Sequence, residues 1–173
     1  MHPSAAHGFA AGAEVYVRGR PDYPPEVQDW LRSAMDLRDG KLVVDVGAGT
    51  GKFTKYLLAT GATVIAIDPV TKMLQQLRHN SQAPGAIAAS AAARAVVARA
   101  ERIPLGNATV DAVVCSQSFY WFARRSALAE ILPELKPHGM LGLICNVRDE
   151  SVDGVATITH LIAPYEGDAP RMA

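Results

Sequence analysis

Leu42-Val43-Val44-Asp45-Val46 is a short β-branched run that empties into Gly47-Ala48-Gly49-Thr50-Gly51, and a helical pattern from Phe53 to Leu58 follows directly. That order makes a buried strand, a tight turn and a helix whose first amides face whatever lies over the strand's end. Glycine at every second position tolerates positive φ and carries no Cβ, so a bulky ligand can approach the main chain. A second strand, Ala62 to Ile67, ends in Asp68-Pro69, and Asp68 comes 17 residues after Gly51. A βαβ unit delivers an acid to the ribose of a nucleoside at about that distance. Loop and acid together point to nucleoside binding.

Spacing narrows the choice of nucleoside. A dinucleotide fingerprint needs its third glycine at position 52, where Lys52 stands. A nucleotide P-loop needs glycine at 46 and Ser or Thr at 53, and the chain has Val46 and Phe53. Asp45 at the head of the loop repels a phosphate and suits an ammonium or a water. A nicotinamide oxidoreductase is therefore disfavoured.

The 173 residues are enough for one domain with a real core, and the 17 Lys and Arg balance the 17 Asp and Glu. No net field favours nucleic acid or an anionic membrane. No apolar run approaches the ~20 residues of a membrane span, and Met1 to Ala13 has no signal-peptide pattern, so a cytoplasmic protein is expected. Cys115 and Cys145 lie in apolar runs without a C-x-x-C, as core thiols do. The five histidines are scattered, and no metal site is expected.

Asp45 to Gly51 resembles the first motif of class I S-adenosylmethionine-dependent methyltransferases, more narrowly the small-molecule branch with ubiquinone/menaquinone-type and trans-aconitate-type enzymes. The resemblance runs from about Tyr16 to about Arg148. Its cues keep the family's order: Tyr16 to Pro24, the glycine loop, Asp68, Ala100 to Leu105, Val110 to Val114, Phe119 to Phe122, and Leu135 to Leu141. It implies an α/β, Rossmann-like, doubly wound, mostly parallel sheet, with S-adenosylmethionine as cofactor and a small-molecule methyl acceptor as partner. The expected layout is an N-terminal arm over 1–24, a cofactor-binding core over 25–148 and a C-terminal part over 149–173.

The same resemblance assigns roles. The loop residues Asp45, Gly47, Ala48, Gly49 and Gly51 admit the cofactor, and Asp68-Pro69 holds its ribose. Met73 packs near the adenine, Ala100 and Glu101 border it, and Glu101 accepts from its exocyclic amine or is a surface acid. Arg20 pairs with the cofactor carboxylate and Tyr16 adds a hydroxyl, or both belong to a brace of prolines and tyrosines. Ser116 and Gln117 leave the fourth strand beside the first, where the strand order reverses, and border the methionine part. Among Phe119 to Phe122, Tyr120 is expected toward a substrate pocket and Trp121 and Phe122 in the core; many relatives have His where Tyr120 stands.

No catalytic residue is assigned, because in-line transfer of a sulfonium methyl needs mainly a nucleophile about 3 Å away and a dry site. Periodicity predicts helices over Glu26 to Met35, Val70 to Leu77, Arg124 to Leu135 and Ser151 to Ile162, a third strand near Ala95 to Ala98, and a fifth strand from Met140 to Asn146. The resemblance implies a closing antiparallel hairpin that is lacking here, so that either the chain is shortened or a partner or second copy covers the edge left on the fifth strand. A second reading is a module that binds the cofactor without turnover.

Overall fold

Strands β1 (Leu42–Val46), β2 (Thr63–Asp68) and β4 (Val110–Ser116) are buried along nearly their whole length. Strands apolar on both faces are stable only inside a sheet that is covered on both sides. In the computed structural model, which describes residues 22–81 and 93–165, they are the inner three strands of a five-stranded parallel sheet. The order is β3-β2-β1-β4-β5, with β3 (Arg94–Val97) and β5 (Leu135–Ile144) at the edges. The α/β doubly wound architecture expected from the sequence is the one observed.

Alternate side chains on a strand go to opposite faces. Val43, Val64, Ala112 and Val114 pack with Leu31 and Met35 of α1 (Val27–Met35) and with Leu57 and Leu58 of α2 (Thr54–Ala59). Val44, Val46, Ile65, Ile67, Val113 and Cys115 take the other face, against Ala127 and Ile131 of α4 (Arg125–Glu134). Leu74 and Leu77 of α3 (Thr71–Ser81) lie on Ala66 and Ala95. A last helix, α5 (Asp153–Ile162), follows β5. Each βα connection turns the chain over the sheet, so the C-terminal ends of all five strands share one rim.

Several expectations shift in detail. The buried face of α1 is Leu31 and Met35 with Val27 beside them, a four-residue spacing, and Trp30 is 44% exposed. In α4 the buried face is Ala127, Ile131 and Glu134, while Leu132 is 54% exposed. Lys136 to Gly139, expected between the helix and the fifth strand, lies inside β5: Leu135 pairs with Val110, the register then slips, and Met140 resumes pairing with Ala112. His138 takes φ +67° within that irregularity. Cys145 is only half-buried, whereas burial pushes the Cys115 thiol up to about 12. Residues 1–21 of the N-terminal arm, with Tyr16 and Arg20, lie outside the described residues, as does most of the alanine tract before β3. No helix among the described residues is long and apolar enough to cross a membrane.

The N-terminal ends of the inner strands are tied by Asp111. Its carboxylate accepts the Leu42 N–H at 2.9 Å and the Lys136 ammonium at 2.7 Å, with Lys41 at 3.5 Å. Burial pushes this carboxyl up, and the Lys136 and Leu42 hydrogen bonds outweigh it, so the net shift is downward. A lowered carboxyl contributes stability above its unfolded pKa and loses it as pH falls through the folded one. Asp111→Ala should therefore lower the unfolding free energy by about 1–3 kcal/mol at pH 7. In urea titrations the gap to the parent protein should narrow toward pH 3.

Candidate functional site

Two adjoining clefts open along the shared rim, and every connection that leaves a strand there contributes to one of them. The first contains Val46 and Gly47 after β1, Ile67 to Val70 after β2, Ala98 to Glu101 after β3, and Gln117, Ser118, Trp121 and Phe122 after β4. The second is bounded by Tyr23 before α1, Asp45 to Thr50, Lys52 and Phe53, Ser116 and Gln117, and Asn146 to Arg148 after β5. Gly47, Gly49 and Gln117 belong to both. The seam lies between β1 and β4, where the strand order reverses and ligands of such sheets bind.

The glycine loop works differently from the sequence expectation. Its amides do not stand bare: Gly47 and Ala48 both donate to the Ile67 carbonyl, at 2.8 and 3.0 Å, and Gly51 donates to Ala48 at 3.0 Å. Gly49 donates to Asp68 Oδ2 at 3.0 Å. The loop supplies clearance in place of donors. A Cβ at Gly51 would sit 2.8 Å from Leu77 Cγ, so that glycine is there for the packing of α3. A Cβ at Gly49 meets nothing within 4 Å, and the space it leaves belongs to the two clefts.

Asp68 is 5% exposed and braces this loop. One carboxylate oxygen takes Gly49 N–H and the other takes Val70 N–H at 2.8 Å. Burial raises its pKa and the two amides oppose the rise. It still lines the first cleft, with the lone pairs those amides do not use. Asp45 is buried deeper, at the floor of the second cleft. Thr54 donates to its Oδ2 at 2.7 Å, and Oδ1 has no partner among the described residues. Burial, with the charge of Asp68 adding to it, pushes Asp45 up to about 7.

Most of the residues expected from the sequence converge here. Pro69, Met73, Ala100 and Glu101 join Asp68 in the first cleft, Ala48 and Ser116 join Asp45 in the second, and Met73 and Ala100 are buried. Tyr120 is the correction. It is 38% exposed and lines neither cleft, its ring lying 5.3 Å from that of Trp121. Trp121 and Phe122 line the first cleft, and Phe122 is also part of the core. Phe119, Tyr120 and Trp121 make a tight 3₁₀ turn, and the middle ring is the exposed one.

Tyr23, Lys52, Phe53, Asn146 and Arg148 were not assigned from the sequence and line the second cleft. The Tyr23 ring packs edge-on to Phe53 at 4.8 Å, and Ser116 donates to its hydroxyl. Asn146 and Arg148 directly follow β5, so the rule that ligands sit at strand C-termini would have found them. Gln117 adopts φ +51°, unusual for a side chain larger than Asn, at the seam. Its N–H donates to Ile144 O, and Ser118 Oγ donates to Val46 O at 2.6 Å. Among the described residues no group of three His, Cys, Asp or Glu side chains is placed to hold a metal ion.

Residues 44–143 match the family model described as a methyltransferase domain, and the chain belongs to that family. Over 97% of its length it is 41% identical to an uncharacterized methyltransferase of Mycobacterium tuberculosis. Over 94% it is 36% identical to an uncharacterized methyltransferase-like protein of Schizosaccharomyces pombe. The chain spans 63% and 60% of the lengths of these relatives. In three dimensions it resembles a putative S-adenosylmethionine-dependent methyltransferase of Methanococcus maripaludis. The TM-score is 0.64 at 20% identity, covering 93% of this chain and 72% of that one.

Two consequences can be measured without any ligand. Gly49→Ala should cost about 1–2 kcal/mol of stability for a side chain at positive φ, and Gly51→Ala about 1–3 kcal/mol more for crowding Leu77. Urea unfolding of the two variants tests that order. Asp45, with one carboxyl oxygen buried without a partner, and Glu134, with both, are raised to about 7. Between the ordinary carboxylate range and pH 7 the folded chain holds these protons and the unfolded chain does not, so stability falls as pH rises through that window. Asp45→Asn and Glu134→Gln should each flatten the decline of melting temperature between pH 5 and 8.

Proposed function

We propose that the chain is an S-adenosylmethionine-dependent methyltransferase acting on a small-molecule acceptor. The observation that carries this reading is the pairing of two unlike clefts across Gly49. The first is walled by Val46, Ile67, Val70, Met73, Trp121 and Phe122, with acids at Asp68 and Glu101. Flat apolar walls suit a purine, and the two acids suit ribose hydroxyls and an exocyclic amine. The second offers the orphaned Oδ1 of Asp45, which suits an ammonium. A nucleoside joined to an amino acid fits both ends, and the missing Cβ of Gly49 leaves room for the junction.

S-adenosylmethionine held there supplies an electrophilic methyl on a sulfonium. The protein's part is to place and to dry. Asp68 and Glu101 fix the nucleoside, Asp45 the amino group, and Phe53, Trp121 and Phe122 exclude water from the line of approach. Gln117, on both clefts, borders the place where the methyl would be handed over. Proximity in an enclosed site supplies the rate, and none of these groups has to act as a base.

The reading is tested by thermal shift. S-adenosylmethionine should raise the melting temperature in proportion to the logarithm of its concentration above Kd, while NAD should leave it unchanged. Gly49→Ala should stay folded and lose most of that shift. A chain stabilised by NAD and indifferent to S-adenosylmethionine would overturn the proposal.

A further inference from the structure

We infer that the turn after β3 is a binding site for a phosphate group, held between the guanidinium groups of Arg99 and Arg102. Arg99, Ala100, Glu101 and Arg102 form a tight turn in which the Arg102 N–H donates to the Arg99 carbonyl at 3.0 Å. The two arginines face each other there as an antiparallel bridge. Residues so bridged carry their side chains on one face with Cβ atoms about 5 Å apart, so the backbone itself sets two cations side by side. Like charges directly opposite destabilise such a pair. Both arginines are exposed, and among the described residues no carboxylate forms an ion pair with either.

The acids of the neighbourhood are committed elsewhere. Glu101, inside the turn, lines the first cleft, and Glu130 of α4 accepts the Ile103 N–H at 2.8 Å, one residue beyond the turn. The 17 basic and 17 acidic residues of the chain cancel, so this pair is a local excess that the chain's own balance does not relieve. An anion from outside relieves it. Two guanidinium groups bring two charges and a fork of donors each, which matches the three terminal oxygens and up to two charges of a phosphate group. A lone carboxylate would balance only one of them. S-adenosylmethionine carries no phosphate, so the ligand of this site is a different molecule from the proposed cofactor. Arg99 belongs to the lining of the first cleft and Arg102 does not, which places the site across the edge of that cleft. Its exposure leaves it open to free phosphate and to the phosphate of a monoester alike.

Calorimetry at constant ionic strength, with inorganic phosphate and phenyl phosphate as probes, tests the site. Arg102→Gln should weaken binding at least about tenfold, as the loss of one charge-assisted partner does. Arg94→Gln removes another exposed arginine, at the opposite end of β3, and should change binding less than about twofold because salt screens charges that far apart. Binding of phenyl phosphate identifies a site for phosphate monoesters, binding of inorganic phosphate alone a site for the free ion, and either supports the inference. No binding of either probe, displacement by chloride at equal ionic strength, binding that survives Arg102→Gln, or an equal loss in Arg94→Gln would overturn it. Arg102→Gln should also keep its affinity for S-adenosylhomocysteine, and a loss there would assign Arg102 to the cofactor and overturn the inference as well. Failure of the parent chain to bind S-adenosylhomocysteine would instead strike the proposed function and leave the phosphate site standing.

Discussion

The architecture of this rim depends on how the end of β2 captures the loop after β1. The Ile67 carbonyl takes two successive amides, Gly47 and Ala48, and the Asp68 carboxylate takes the third, Gly49. Three donors in a row thus find acceptors on the neighbouring strand, and a loop that would otherwise need water or a ligand to satisfy it is closed within the protein. The conformation that permits this requires positive φ at Gly47, Gly49 and Gly51. Because the amides are already spent, the rim presents a shaped gap with fixed walls. A pre-formed gap costs less to fill than a loop that must order around its ligand.

That capture also sets the electrostatics. Asp68 cannot leave the loop without orphaning the Gly49 and Val70 amides, so its charge stays where it raises Asp45. Two acids on adjacent strands, one held by amides and one by a threonine hydroxyl, answer burial unequally. Asp45, with an unused oxygen, bears the larger shift, up to about 7. Burial raises such a carboxyl, and a positive charge placed beside it would act in the opposite direction.

How far the sequence could be read follows from the range of the forces involved. β1, β2 and β4 were legible because burial on both faces demands unbroken apolar runs, and the glycine loop and Asp68 because their spacing is set by one βαβ unit. The helix faces were less legible. Trp30 and Leu132 fit a helical stripe as well as Leu31 and Ile131 do, and only the shape of the sheet beneath decides which are covered. Glu134 illustrates the point from the other side: no pattern rule puts an acid on a buried face, yet it is 3% exposed. The slip in β5 escaped notice for a related reason. Lys136-Pro137-His138-Gly139 has the composition of a turn, and a turn and a bulge differ in what the flanking residues pair with, which is a property of β4.

The second cleft was hardest to foresee because its walls come from four separate parts of the chain. Tyr23 precedes α1, Lys52 and Phe53 follow the loop, Ser116 closes β4 and Arg148 follows β5. Nothing local distinguishes these residues from ordinary surface side chains. The common rim of a parallel sheet makes them neighbours, since every strand points the same way and every connection leaves at the same edge. The first cleft draws on the ends of β1, β2, β3 and β4, and the second on those of β1, β4 and β5. The two clefts share Gly47, Gly49 and Gln117, so the glycine loop and the turn after β4 shape both.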